Sequence, residues 1–300
     1  MFPLISKLQY KEFEPGEFVA CQSRSYEDTI TAIENFPWER EREHIYIHLT
    51  NPSVTIENGN GTYLKLALFY NNKYVLHFFD SGQTLYTKSF ILLSDSYIYI
   101  KKFFAGGEFD TNDFKKENTW MQHNQKHFVT CDFRYEVTPD SAKKYLVNKN
   151  GFTFIMSTII AAPLLALAIK TGSLGICIFA LFTLLLVNMP GIILFLNYYR
   201  FAKSKILIMS RGNDTFYFGN SHNPIEFDKK NIKFITIIHL GRRYDEPGNR
   251  TLVIIRFNDG STIHIPNIFI NYIPLLSKLY NCEQKYKIAI PFIRNTKNLV

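Results

Sequence analysis

From Gly151 to Ile169 the chain reads GFTFIMSTIIAAPLLALAI, and after Lys170-Thr171-Gly172 it resumes from Ser173 to Tyr199 as SLGICIFALFTLLLVNMPGIILFLNYY. Neither run holds a charged side chain. Each has the ~20 residues needed to cross ~30 Å of hydrocarbon at ~1.5 Å per residue. Amphipathic helices of a soluble core keep a polar stripe, whereas these runs are apolar on all sides, so they predict a two-helix transmembrane hairpin. Pro163 and Pro190-Gly191 predict kinks rather than breaks, because a neighbouring helix can satisfy the carbonyls that a proline frees. Asn188, placed near mid-depth, gains most by hydrogen bonding across helices and is the candidate helix–helix contact. No acidic side chain accompanies it, so a transport site is not indicated.

The connector is too short for anything but an antiparallel pair, which puts both flanks on one side of the membrane. Lys143, Lys144 and Lys149 precede the pair and Arg200, Lys203 and Lys205 follow it, against Lys170 alone in the connector. By the positive-inside rule both termini are expected in the cytoplasm of a multi-pass membrane protein. The charge is divided unevenly: residues 1–150 carry 17 basic and 19 acidic side chains, residues 151–300 carry 17 and 7. The first ten residues lack the apolar core and small-residue site of a cleaved signal.

After the second run come short β-rich stretches: Ile206 to Met209, Thr215 to Phe218, Ile225 to Phe227, Ile232 to Leu240, Thr251 to Phe257 and Thr262 to Ile265. The last two flank Asn258-Asp259-Gly260, a hairpin signal. Asn267 to Tyr280 is expected to close the set as a helix, bent or limited by Pro274. His127 to Val137 alternates like a further strand and could belong to either flank. Thr138-Pro139 after it predicts a helix start, with Thr at the N-cap and Pro at N1.

Strands followed by one helix, with FRYEVTPDSAKKYL before the apolar pair and IEFDKKNIKFITI, LVIIRFNDGSTIHIP and FINYIPLLSKLY after it, resemble the bacterial membrane-bound PH-like proteins of the YcxB-like group over about residues 128–280. The resemblance implies a C-terminal PH-like β-barrel with a C-terminal helix, a place in the bacterial inner membrane, and no catalysis. Lys229, Lys230, Lys233, Arg242, Arg243 and Arg250 are the candidate lipid head-group contacts, since a basic face near a membrane attracts anionic lipid at roughly 1 kcal/mol per charge. Topology and solubility alone also account for such charges. They are not interleaved with aromatics in a nucleic-acid module, so no nucleic acid is expected as a partner.

Residues of about 18 to 120 form an acidic, aromatic stretch without long apolar runs. Ser25 to Phe36 predicts a capped helix ended by Pro37. Val54 to Glu57, Tyr63 to Tyr70, Tyr74 to Phe79 and Leu85 to Phe90 predict an antiparallel meander with turns at Asn58-Gly59-Asn60-Gly61 and Asn71-Asn72-Lys73. Tyr97 to Ala105, stopped by Gly106-Gly107, predicts a second helix. This helix, meander, helix order, with TYLKLALFYNNKYVLHFF at its centre, distantly resembles small bacterial immunity proteins, which implies a toxin as protein partner.

The chain is thus expected to be α+β: an N-terminal α+β interaction domain (1–126), a strand and helix leading into the membrane (127–150), the hairpin (151–199) and a PH-like domain (200–300). Four scattered cysteines without a CxxC pair predict free thiols in a reducing compartment. The pairs His44/His48 and His123/His127 have i,i+4 spacing but lie in segments that do not read as helical and lack a third ligand, so no metal site is expected. No nucleotide loop or hydrolase motif occurs, and no cofactor or catalytic residue is assigned. The expected role is non-enzymatic binding at the inner face of a bacterial membrane, with membrane lipids and a protein (a toxin or a second copy) as partners. A toxin-neutralising immunity protein and an anionic-lipid-sensing or self-associating scaffold are the alternatives.

Overall fold

Polar residues decide where the first sheet begins. LISKLQ, Leu4–Gln9 (β1), is not marked as a strand by its apolar residues, because the positions it buries on the two faces of the sheet are Ser6, Lys7 and Gln9. In the computed structural model, which describes residues 2–42, 49–106, 109–117, 124–239, 250–279 and 282–293, β1 pairs with Val19–Arg24 (β2) and with Ser53–Glu57 (β3). These two strands extend the expected meander. With Tyr63–Leu68 (β4), Tyr74–Phe79 (β5), Leu85–Phe90 (β6) and Lys115–Lys116 (β7), they make a seven-stranded antiparallel sheet of order β2-β1-β3-β4-β5-β6-β7. Asn71 and Asn72 both adopt positive φ between β4 and β5, as a tight hairpin turn demands.

One face of this sheet presents Val54, Ile56, Leu64, Leu66, Leu76 and Phe78 to three helices: Tyr26–Glu34 (α1), Trp38–Glu41 (α2) and Tyr97–Phe104 (α3). Ser25 caps α1 by accepting from the Asp28 amide at 3.0 Å, and Trp38 Nε1 donates to the Ile33 carbonyl at 2.7 Å. The opposite face packs Tyr63, Phe79 and Leu85 on Phe128. The chain divides into two units, the first being Met1–Asp132 together with Ser210–Gly212. The stretch 127–137 is therefore split: Phe128 folds with the first unit, and Arg134–Glu136 (β8) with the second.

In the second unit, Pro139–Thr171 (α4) and Leu174–Ala202 (α5) are single helices that run through their internal prolines. Thr138 and Ser141 form a reciprocal capping box at the start of α4, with Pro139 in the first turn. Gly172, at φ +66, ends α4 in the left-handed conformation that favours glycine. Both helices are long and apolar enough to cross a membrane. Only 17% and 11% of their most apolar windows is buried, which separates them from core helices of a soluble fold. The faces that do pack are narrow: Ser157, Ala161 and Ala168 on α4, Ala180 and Asn188 on α5.

The remaining strands are Lys205–Ile208 (β9), Thr215–Asn220 (β10), Asn223–Asp228 (β11), Ile232–His239 (β12), Thr251–Phe257 (β13), Thr262–Pro266 (β14) and, after Tyr272–Ser277 (α6), Gln284–Ile288 (β15). They form two four-stranded sheets, β11-β10-β9-β8 and β14-β13-β12-β15, with no ladder joining them among the described residues. Both contribute to one core that includes Leu207, Phe216, Phe218, Ile235, Val253 and Ile263. The described strands of the expected PH-like domain thus form two sheets over a shared core. The expected helix from Asn267 to Tyr280 is shortened to α6, which holds Pro274 in its first turn, where the missing N–H has no intrahelical partner to lose. The unexpected β15 pairs in parallel with β12; its QKYKI sequence is mostly exposed and carries little apolar signal.

Candidate functional site

Within the second unit, the cytoplasmic-side ends expected for α4 and α5 enclose a polar cluster. Arg250, at the start of β13, is 6% exposed and its guanidinium donates to Asn150 Oδ1 on α4. One turn earlier on α4, the Tyr145 hydroxyl donates to Asn267 Oδ1 at 2.7 Å. Gly191 on α5 makes room for this arrangement, since a Cβ there would stand 2.8 Å from Asn150 Oδ1 and 3.1 Å from the Arg250 guanidinium. Tyr145 stacks with Phe195, which in turn stacks with Tyr199, so aromatic rings wall the cluster along α5. Burial pulls the Arg250 guanidinium below its ordinary value, with Tyr145 opposing that shift. The result is a cation held between helix pair and sheet by neutral oxygens, a geometry suited to locking the two together.

This placement corrects the expected lipid-contact set. Arg250 does not lie on a surface, because its charge is turned into the unit toward Asn150. Arg242 and Arg243 lie outside the described residues. Lys229 and Lys230 sit in a single turn after β11, where the Asp228 carboxylate accepts from the Lys230 amide at 2.8 Å. Lys230 Nζ pairs with Asp214 at 2.5 Å, both side chains well exposed, and Lys233 is exposed on β12. Hydrogen bonding to Asp214 pushes the Lys230 amine above its usual value. The described basic candidates other than Arg250 therefore share one turn and the strand after it.

Asn188 meets the first helix: its Nδ2 donates to Ser157 Oγ at 2.9 Å. Asn197, in the apolar run of α5, exchanges two hydrogen bonds with the backbone of Ile293, Nδ2 to the carbonyl at 3.1 Å and the Ile293 amide to Oδ1 at 2.9 Å. No local sequence signal marks that contact or the Arg250–Asn150 pair, each joining residues roughly a hundred positions apart in the chain.

The first unit holds a second polar cluster, on the sheet face opposite its helices. The ladder aligns Lys7, Thr55, Lys65, His77 and Thr87 in one cross-strand row. Lys65 is fully buried, and its amine donates to Gln9 Oε1 at 2.6 Å and to the His127 carbonyl at 3.1 Å. Lys7 donates to Glu57 at 3.2 Å and to Thr130 Oγ1 at 3.3 Å, with its amine 4.6 Å from the Phe18 ring centroid. Burial drives the Lys65 amine well below its usual value, and the neighbouring Lys7 adds to the effect. Burial also lowers Lys7, against the pull of Glu57. His77 is pushed down to about 3 by burial, then by Lys65 and His127. The lysines draw the segment His127–Thr130 onto the sheet through hydrogen bonds.

Among the described residues no cluster of three or more His, Cys, Asp or Glu could hold a metal ion, and the four cysteines are unpaired thiols. The His44/His48 pair and His123 fall outside the described residues. No curated protein matches the chain, and no solved structure matches it. A family model described as PH domain matches residues 134–278, from β8 through both apolar helices to the residue after α6. Residues 134–278 therefore form a PH-like segment that carries the two apolar helices inside it.

Proposed function

We propose that this chain is a non-enzymatic, multi-pass protein of a bacterial inner membrane, crossing it with α4 and α5 and presenting both units to the cytoplasm as binding modules. One observation carries the reading: two helices of membrane length, apolar on nearly all sides and scarcely buried, lie inside a PH-like segment. Lys143, Lys144 and Lys149 on one flank and Arg200, Lys203 and Lys205 on the other support a cytoplasmic placement of both. Within PH-like proteins, the order of strand, helical pair and two sheets fits the YcxB-like layout. The turn bearing Lys229 and Lys230, followed by Lys233, is a basic surface suited to anionic head groups.

The first unit supports a protein-binding role. Its edge strand β2 exposes Ala20, Cys21, Gln22 and Ser23, leaving a free strand edge of the kind on which a partner can add a strand. A toxin bound there would make the chain an immunity protein; a second copy would make it a scaffold.

Native cysteines supply the test. Cys21 and Cys131 are exposed on the first unit, so a membrane-impermeant maleimide applied to intact spheroplasts should leave them unlabelled while labelling Thr171→Cys in the connector. Inverted vesicles should reverse the pattern. Labelling of Cys21 from outside, or release of the protein by alkaline carbonate, would overturn the reading.

A further inference from the structure

We infer that the segment Ile288–Phe292 at the end of β15 is a peripheral membrane contact, laying Ile288, Ile290 and Phe292 into the interfacial layer of the bilayer that α4 and α5 cross. The inference rests on the membrane reading above and adds to it a surface outside the two helices.

The side chains alternate. Ile288, Ile290 and Phe292 are 62%, 68% and 42% exposed, whereas Pro291 and Ile293 are buried and Ala289 is half-buried. Three large apolar side chains exposed within five residues, with Pro291 between them packed, are costly to leave in water and fit a segment that meets an apolar medium.

Its position identifies that medium. At one end the Ala289 amide donates to the His239 carbonyl at 3.0 Å, continuing the parallel pairing of β15 with β12. At the other end Ile293 exchanges two hydrogen bonds with Asn197. Asn197 lies two residues before Tyr199, where the apolar run of α5 stops, so the residue that holds Ile293 stands roughly 3 Å, along the helix axis, from that boundary. A segment fastened there cannot move away from the head-group layer while the unit stays folded. Lys287, exposed on the same strand, adds positive charge beside these side chains, while Lys285 pairs with Glu283 at 3.3 Å. A lipid surface matches both features together.

The test uses the full chain reconstituted in vesicles of phosphatidylcholine and phosphatidylglycerol, with tryptophan placed singly at position 290 (Ile290→Trp) or within the span (Phe179→Trp) in a Trp38→Phe, Trp120→Phe background. Nitroxide carried on shallow or deep acyl carbons reports depth, and acrylamide reports water. The expected result is loss of position-290 emission with the shallow nitroxide, weak acrylamide quenching, and loss of position-179 emission with nitroxide carried on the acyl chains. Position 179 quenched by lipid, with position 290 open to acrylamide, would overturn the inference and leave the membrane reading standing. Position 290 shielded from both quenchers would show it covered by protein or a second copy, and would overturn it too. If position 179 escapes lipid quenching, the membrane reading fails and the inference fails with it. Ile288→Ser with Phe292→Ser provides the check that the contact is apolar: quenching at position 290 should fall while quenching at position 179 stays.

Discussion

Asn188 Nδ2 donates to Ser157 Oγ at 2.9 Å, and the same nitrogen donates to the Leu184 carbonyl at 2.8 Å, so one amide joins α5 to α4 while bonding within its own helix. Both side chains are buried. Ser157 in turn donates to the Phe154 carbonyl at 2.9 Å, so each partner has an intrahelical alternative.

Those alternatives limit what the contact is worth. Interhelical hydrogen bonds of this kind contribute about 0.6 to 2 kcal/mol. Asn188→Leu and Ser157→Ala should each destabilise the full chain in detergent by about 1 kcal/mol, with the double variant losing less than the sum, as coupled neighbours do. Loss of helical circular dichroism against denaturant measures this. Strictly additive losses would show that the two residues do not act as a pair.

Arg250 should tolerate replacement less well. Its removal strands Asn150 Oδ1 in a buried site, and truncation opens a cavity beside Gly191. Arg250→Ala is expected to cost about 1 to 3 kcal/mol, the range for an orphaned buried polar group. Gly191→Val should produce a similar loss by displacing the same guanidinium, and Gly191→Val added to Arg250→Ala should cost little more. Thermal melts of the three variants in detergent decide it.

Local signals in the sequence mark much of the fold. The two apolar runs, the Thr138-Pro139 helix start, the Asn71-Asn72 turn and the meander from Val54 to Phe90 each rest on neighbouring residues, and each corresponds to an element of the structure. β1 escaped because Ser6, Lys7 and Gln9 occupy its buried positions, inverting the usual pattern. β15 escaped for the opposite reason, since its charged and exposed residues resemble a loop. The site was less legible still. A count of basic residues cannot tell exposed Lys233 from buried Arg250, because the difference lies in Asn150 and Gly191, contributed by distant parts of the chain.

His77 makes the first unit sensitive to acid. Its folded value is about 3, below the ordinary 6.5, and its Nδ1 is buried without a partner among the described residues. Below pH 6.5 the unfolded chain therefore binds a proton that the folded chain refuses, so stability falls as pH drops toward 3. The slope from this group is roughly 1 kcal/mol per pH unit. Both tryptophans lie in residues 1–132, so their fluorescence follows this unit during urea unfolding. His77→Phe should flatten the stability profile between pH 6.5 and 5; an unchanged slope would assign the acid sensitivity elsewhere.

Lys65 should act on the alkaline side with a sign that can be fixed in advance. Burial lowers its folded value well below 10.5, while the unfolded lysine titrates near 10.5. Between those two values the unfolded state holds more protons, so stability rises with pH across that window, and the penalty is fully present below the folded value. Lys65→Met removes the penalty but leaves Gln9 Oε1 and the His127 carbonyl without this donor, at about 1 kcal/mol or more for each group left unsatisfied. The two effects oppose each other at neutral pH, and only one of them depends on pH. The stability of Lys65→Met relative to the parent should therefore decline as pH rises from 7 toward 10, whichever protein is the more stable at pH 7. Tryptophan-monitored urea unfolding at several pH values measures the difference. A gap constant across that range would mean that Lys65 titrates alike in the folded and unfolded chains, and its burial beside Lys7 would then carry no electrostatic cost.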